Sequence, residues 1–177
     1  AAIINAMPCD RASILLSDQS GVMRFVAWRG LSDSYRRATT GHSPWTADAI
    51  KPQPVLINEL ASADVEDSLK QVIVAEGIGA LGFIPLVSDG RLIGKFMIYY
   101  NAPHRFRDEE LDLSLTLARQ LAFAIQRQRS EEALRKSEGR LSLATEAARM
   151  FTWEVELPSR ATFVSDNFSQ VFGASAE

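Results

Sequence analysis

The feature that most constrains this chain is an uninterrupted helical stretch of about forty residues that begins near Arg107. Acidic residues occupy its first turn, where the helix dipole favours negative charge, and no proline follows until Pro158. At a rise of 1.5 Å per residue, such a helix is roughly 60 Å long, which is more than a small domain can cover. Part of the helix must therefore project from the domain that precedes it.

The two halves of this helix have different surfaces. The first half carries a broad apolar stripe that suits packing on a sheet or on a partner helix, and Leu121 and Ile125 end that stripe. The segment 126–139 is strongly polar. A narrow apolar seam continues through it and just beyond, with Leu134 and Leu141 seven residues apart. Seven-residue spacing is typical of a two-helix coiled coil. We therefore predict a parallel homodimer through this helix, with Leu121, Ile125, Leu134 and Leu141 as its contact residues.

Shorter elements precede the long helix. Residues 11–16 and 22–28 read as a hairpin, and residues 78–87 and 92–100 read as another, joined by the turn-forming pair Asp89-Gly90. Between the two hairpins the pattern predicts short helical pieces in 31–50, with Asp33 as N-cap, a strand at 55–57 and an amphipathic helix over 64–76. After Met150 strand-like periodicity returns in a further hairpin and a short helix.

Composition excludes several classes of function. The 177 residues carry a net charge of -3, so the chain has no basic surface that would indicate binding to nucleic acid or anionic lipid. No apolar run is long enough for a membrane span. The single cysteine, Cys9, cannot form an intrachain disulfide. We expect a cytoplasmic chain with no nucleic-acid or membrane partner and no metal site.

Five strings, in order, resemble the GAF family over residues 1–128. They are Cys9-Asp-Arg-Ala-Ser-Ile-Leu-Leu, Pro54-Val-Leu-Ile-Asn-Glu-Leu, Glu76-Gly-Ile-Gly-Ala-Leu-Gly-Phe-Ile-Pro-Leu-Val, Gly90-Arg-Leu-Ile-Gly-Lys-Phe-Met and Arg105-Phe-Arg-Asp-Glu-Glu-Leu. The resemblance implies an α+β fold in α/β/α layers. A central antiparallel sheet would carry helices on both faces, with the N-terminal and long C-terminal helices on one face. A small-molecule pocket would lie on the other.

A second resemblance covers residues 131–173, which look like the opening of a PAS domain. Its strings are Glu131-Glu-Ala-Leu-Arg-Lys-Ser-Glu-Gly-Arg-Leu, Ala144-Thr-Glu-Ala-Ala, Phe151-Thr-Trp-Glu-Val-Glu-Leu and Ser165-Asp-Asn-Phe-Ser-Gln-Val-Phe-Gly. Only the entry helix, first hairpin and first short helix of such a domain would be present. An apolar face would then stay uncovered, with the aromatic residues Phe151, Trp153, Phe163, Phe168 and Phe172. We therefore expect a GAF-like domain at 1–128, a signalling helix at 129–150 and an incomplete PAS segment at 151–177.

The resemblance to the GAF family also suggests where a ligand would bind. His42, Ser43 and Trp45 lie on a loop that the family places near its pocket, although Trp45 could equally fill the core beneath that loop. Strand alternation puts Met97 and Tyr99 on one face and Phe96, Ile98 and Tyr100 on the other, without showing which face meets the pocket.

The sequence supports a bound cofactor or a catalytic function less than it supports ligand binding. Bilin-binding members carry a cysteine beside a histidine, and neither His42 nor His104 has one nearby, so we expect neither covalent bilin nor haem. Cys9 reads as a buried, inert thiol. Sulfoxide reductases of this family need several cysteines, and Asp108, Glu109 and Glu110 read as solvated partners of the helix dipole. We expect no catalytic residues.

The resulting hypothesis is a non-catalytic sensory input module of a two-component sensor histidine kinase. It would bind an unknown small molecule or partner and pass the change through the helix to a downstream kinase domain in the same chain. Two alternatives stay open: the input module of a diguanylate cyclase, and a structural dimerisation or spacer module without ligand. A pocket of at least ~300 Å³ would favour the sensor over the spacer.

Overall fold

A computed structural model describes residues 9–46, 48–165 and 167–172 of the chain. The helices and strands in these ranges are, in order, β1 (Arg11–Ser17), β2 (Met23–Arg29), α1 (Asp33–Thr39), β3 (Val55–Ile57), α2 (Asp67–Ala75), β4 (Ala80–Ser88), β5 (Arg91–Tyr100), α3 (Asp108–Ala147), β6 (Trp153–Glu156), β7 (Ala161–Val164) and α4 (Phe168–Phe172). The chain divides into two compact units, residues 1–126 and 127–177.

The first unit is built on a five-stranded sheet in the order β2-β1-β5-β4-β3. Every neighbouring pair is antiparallel, and both predicted hairpins are present as β1–β2 and β4–β5. β5 lies at the centre of the sheet between β1 and β4. At Gly94 a side chain would collide with the backbone carbonyl of Leu15, so glycine is what lets β5 approach β1 there.

Each face of this sheet has its own apolar core, because successive side chains of a strand point to opposite faces. The cavity-side core is formed by Leu15, Met23, Leu31, Tyr35, Leu60, Ile73, Ile78, Leu81, Leu92, Met97 and Tyr99. The helix-side core is formed by Ala12, Ile14, Ile84, Leu86, Phe96, Ile98, Ala118 and Ala122. Helices α1 and α2 thus cover one face and α3 covers the other, which confirms the predicted α+β fold. The N-terminal helix expected on the α3 face falls on residues 1–8, outside the described residues.

Small differences from the predicted elements have local causes. Ser32, rather than Asp33, caps α1, because the Ser32 side chain accepts a hydrogen bond from the Tyr35 N–H. Helix α2 begins at Asp67, three residues later than the apolar spacing suggests.

The carboxylate of Glu76, just past α2, connects three elements of the first unit. It accepts hydrogen bonds from Ser32 and pairs with Arg11 at 3.1 Å, so it joins β1, α1 and α2.

Helix α3 spans 40 residues, as its sequence predicts. Leu121 and Ile125, expected at a dimer contact, are partly buried against the helix-side core of their own chain. This packing covers only part of each side chain, so their role at a dimer contact stays a prediction. In the polar part of the helix, Leu134 and Leu141 are 60% and 62% exposed.

The second unit contains the end of α3 and the hairpin of β6 and β7, in which Trp153 pairs with Val164. Phe151 and Phe168 pack edge to face at 5.0 Å, and the Ser165 N–H donates to the Thr152 carbonyl. Trp153 and Phe163 are largely exposed, as the sequence predicts for the uncovered apolar face of this hairpin. The side chain of Phe172, expected on the same apolar face, lies outside the described residues.

Candidate functional site

A cavity of about 250 Å³ lies within the first unit, on the cavity side of the sheet. Its lining residues come from β1, β2, α1, β3, α2, β4, β5 and the two loops that flank β3. They are Leu15, Phe25, Tyr35, Thr39, His42, Ser43, Pro44, Val55, Ile57, Asp64, Val65, Leu69, Ile73, Leu81, Phe83, Lys95, Met97 and Tyr99. The lining is therefore mainly apolar, with a few polar groups, as is usual for small-molecule sites.

Strand β5 supplies the polar and sulfur-bearing wall of the cavity. Because side chains alternate along a strand, Lys95, Met97 and Tyr99 all point into the cavity, whereas Phe96 and Ile98 enter the helix-side core. The structure thus places Met97 and Tyr99 on the cavity face, which the sequence left undecided. It also adds Lys95, which the sequence analysis did not single out.

Among the described residues that line the cavity, Lys95 is the only lysine or arginine, and it is 2% exposed. Its Nζ donates a hydrogen bond to the His42 carbonyl and lies 5.2 Å from the centre of the Phe83 ring. Burial lowers the pKa of Lys95 to about 8. The ammonium group is therefore still protonated at neutral pH. Within the described ranges, Lys95 forms no ion pair with a carboxylate.

A group of hydroxyls lies beside Met97 at another part of the cavity wall. Tyr99 Oη lies 2.9 Å from Ser13 Oγ and 3.4 Å from Met97 Sδ, and the ring of Tyr35 meets that of Tyr99 edge to face. Burial raises the pKa of Tyr35 to about 12 and that of Tyr99 well above its usual value. These hydroxyls are neutral and already hydrogen-bonded within the protein.

The loop residues chosen from the sequence take different positions. His42 and Ser43 line the cavity, but His42 contributes its backbone carbonyl to the bond with Lys95 and is exposed overall. Trp45 does not line the cavity. Its Nε1 donates to the Gln53 carbonyl at 3.0 Å, and its ring meets the Phe83 ring edge to face at 6.5 Å. This geometry favours the reading of Trp45 as a core residue beneath the loop.

Replacing Trp45 with alanine should therefore reduce stability rather than binding. We expect a loss of about 1–3 kcal/mol in the free energy of unfolding, since Trp45 is only half-buried and a fully buried tryptophan costs about 3–5 kcal/mol. The affinity for indole, a neutral ring small enough for the cavity, should change less than about threefold. Urea unfolding and calorimetric titration measure the two quantities.

Trp28→Ala is the matched control, because Trp28 is a partly exposed tryptophan at the far edge of the sheet, beneath the Arg36 guanidinium. Its removal should cost less than about 1 kcal/mol. If Trp45→Ala weakens indole binding by more than about 1 kcal/mol while stability is unchanged, Trp45 belongs to the binding site.

A second polar cluster joins the end of β5 to the start of α3. The Glu110 carboxylate is buried and accepts hydrogen bonds from the Tyr100 hydroxyl and the Arg107 N–H, and its Oε1 lies 3.1 Å from His104 Nε2. The His104 ring stacks on Tyr100 at 3.7 Å. Burial alone would raise the pKa of Glu110, but the hydrogen bonds outweigh it, and the pKa lies below its usual value.

This cluster corrects two expectations. Glu110 is not a solvated partner of the helix dipole, because it caps the first turn of α3 from a buried position and holds Tyr100. His104 is not an ordinary exposed loop residue, because it is half-buried between Tyr100 and Glu110. The cluster thus fixes the start of the long helix to the central strand of the sheet.

Cys9 lies on the side of the sheet opposite the cavity. It packs partly buried against the helix-side core, and its sulfur lies 3.5 Å from Arg29 Nη2. Burial raises the pKa of the Cys9 thiol, which agrees with an unreactive group. No cluster of three or more metal-ligating His, Cys, Asp or Glu side chains occurs in the described part of the chain.

The cavity, the five-stranded sheet and the long helix together define a sensory domain of known type. The sequence model of the GAF domain family matches residues 1–126, and the chain belongs to this family. The solved domain of a protein ascribed to a two-component sensor histidine kinase, from Sinorhizobium meliloti 1021, is 57% identical. The match covers 76% of this chain and 90% of that domain, with a TM-score of 0.71.

More distant structures share the fold alone. The blue-light absorbing form of the PixJ GAF domain from Thermosynechococcus elongatus is 19% identical, with a TM-score of 0.61 over 73% of this chain and 81% of that one. A GAF domain region from Geobacter sulfurreducens PCA is 22% identical, with a TM-score of 0.57 over 71% and 86%. No curated protein is significantly similar to the sequence. Among the helices of the described residues, none is long and apolar enough to cross a membrane.

Proposed function

We propose that this chain is the sensory input module of a two-component sensor histidine kinase and that it binds a small molecule in the sheet cavity. The 57% identity to the Sinorhizobium meliloti domain supports the kinase context. The module itself carries out no chemistry in this proposal. Its domains run over 1–128 for the sensor, 129–150 for the signalling helix and 151–177 for the beginning of a PAS domain, which precedes the kinase.

The observation that carries ligand binding is the buried ammonium of Lys95 on the wall of an apolar cavity. Burying a charge is costly unless the charge is paired. A domain that served only as a spacer would be at least as stable with an apolar side chain at this position. A ligand therefore explains a buried ammonium beside an open volume better than packing does.

Strand β5 offers a physical route from the cavity to the long helix. Met97 and Tyr99 face the cavity, and Phe96 and Ile98, on the other face of the same strand, belong to the core that packs against α3. The next residue, Tyr100, bonds to Glu110 at the start of α3. A ligand that displaces β5 would thus shift or rotate α3, which is a common way to pass a signal between domains.

A structural spacer without ligand is the second candidate. The cavity volume of about 250 Å³ favours it, because this value lies just below the ~300 Å³ that drug-sized sites usually reach. The spacer shares with the sensor the long helix and the expected homodimer. The two candidates therefore differ only in whether the cavity is occupied in the cell.

Native mass spectrometry of the protein purified from its own host separates the candidates. We expect a mass excess that survives native conditions and is lost on denaturation. Val65→Phe, which places a ring in the cavity, should abolish the excess, because Val65 lines it. Val26→Phe makes the same change at an exposed position and should retain the excess. A bare wild-type mass would favour the spacer.

A further inference from the structure

The cavity has an uneven charge distribution that bears on what it can hold. In the described lining, one charged group is buried, the Lys95 ammonium, which carries three donor hydrogens. One hydrogen is used by the His42 carbonyl, and among the described residues no other acceptor is within hydrogen-bond distance of Nζ. The carboxylate of Asp64, which also lines the cavity, belongs to an exposed residue. The interior therefore presents an ammonium group with unused donors.

The other polar groups of the wall do not compete for this ammonium. The hydroxyls of Tyr35 and Tyr99 interact with each other, and Tyr99 also bonds to Ser13. The Ser43 hydroxyl accepts from the Trp45 N–H at 3.3 Å. The rest of the interior is lined mainly by aliphatic and aromatic side chains. A matching ligand thus needs one anionic group for Lys95 and an apolar body for the remaining volume.

We infer that the cavity takes a small organic monocarboxylate with a single apolar ring or short apolar chain, its carboxylate paired with Lys95. This inference rests on the proposed function, whose ligand class it names. A carboxylate accepts two hydrogen bonds from the ammonium without displacing the His42 carbonyl, so the ligand and the 42–44 loop would share one cation.

Charge and volume both select this class. A phosphate ester carries up to two negative charges. The lining offers one buried ammonium and also the carboxylate of the exposed residue Asp64, so part of that charge would stay uncompensated. A single-ring compound fits the size, because benzene occupies a cavity of about 150 Å³ and this cavity has about 250 Å³. The remaining volume admits a carboxymethyl group but not a nucleotide or a tetrapyrrole.

Calorimetric titration of two acids and their neutral amides tests the inference. Phenylacetate and hexanoate are compared with phenylacetamide and hexanamide at pH 7, on the wild type and on Lys95→Met. The wild type should bind at least one acid at least about tenfold more tightly than its amide, which corresponds to about 1.4 kcal/mol. Lys95→Met should remove that preference while changing the affinity for the amide less than about twofold.

Lys70→Met is the matched control, because Lys70 also donates to backbone carbonyls, those of Ala61 and Ala63, but does not line the cavity. It should retain the preference for the acid, and circular dichroism should show that both variants fold. Equal binding of acid and amide by the wild type, or a preference that survives in Lys95→Met, would overturn the inference and leave the proposed sensor standing. Failure of all four compounds to bind also overturns it, whereas the sensor itself is judged by the native mass measurement.

Discussion

Relative to Lys95→Met, the wild type is expected to gain about 2 kcal/mol in the free energy of unfolding between pH 7.5 and 9.5. The rise follows from the burial of the ammonium group. In the folded chain the pKa of Lys95 is about 8, whereas an unburied lysine has a pKa of 10.5. Between these two values, the unfolded chain holds a proton that the folded chain has released.

Stability must then increase with pH in this window, because the unfolded state binds more protons. Below pH 8 both states are protonated and the folded state bears the full cost of the buried charge. Each pKa unit of difference corresponds to about 1.4 kcal/mol, so the complete effect is about 3 kcal/mol, of which about 2 kcal/mol appears between pH 7.5 and 9.5. Urea unfolding at several pH values measures it.

The comparison with the variant isolates Lys95 from other titrating groups. The ionisable residues that line the same cavity are His42, Asp64, Tyr35 and Tyr99, and all are unchanged in Lys95→Met. Burial raises the pKa of both tyrosines, so they stay neutral in the folded chain over this range. Lys70→Met should keep the wild-type rise. Parallel curves for the wild type and Lys95→Met would show that the ammonium is not buried as described.

Strand alternation indicates one more cavity-lining residue of β5 besides Met97 and Tyr99. The same two-residue periodicity that puts Met97 and Tyr99 on one face also includes Lys95, two residues earlier. A lysine within the apolar run of β5 was thus a readable signal. The sequence alone does not show which face of the sheet carries the cavity, because this depends on where α1, α2 and the loops beside β3 pack.

Helix periodicity held a second signal. Glu110, Ser114, Ala118 and Ala122 recur every four residues, and all four are buried on the sheet side of α3. Asp108 and Glu109 carry the same charge as Glu110 but are exposed. Only the four-residue spacing therefore distinguishes the buried carboxylate of Glu110 from its solvated neighbours. Trp45 had no such signal. Its contacts with Gln53 and Phe83 arise from the path of a loop, which local sequence does not determine.

Leu134→Asp combined with Leu141→Asp is expected to convert a homodimer into a monomer. Both leucines lie in the polar part of α3, where a lone helix has little apolar surface to bury. In a parallel pair, each leucine would meet its own copy across the axis. Aspartate at both positions would place like charges in an apolar seam and should weaken the dimer about a hundredfold or more. Light scattering at micromolar concentration measures the change.

The exposure of both leucines separates an effect on the dimer from an effect on folding. Leu134 and Leu141 are about as exposed in the single chain as Leu143, at 68%, so none of the three substitutions should unfold the protein. Leu143 lies two residues beyond Leu141 and therefore faces nearly the opposite side of the helix. Leu143→Asp should thus leave the dimer intact, and thermal unfolding should confirm that every variant is folded. A monomeric wild type, or a dimer indifferent to both substitutions in the seam, would leave α3 as a passive spacer, because relative rotation of two paired helices could then not carry the signal.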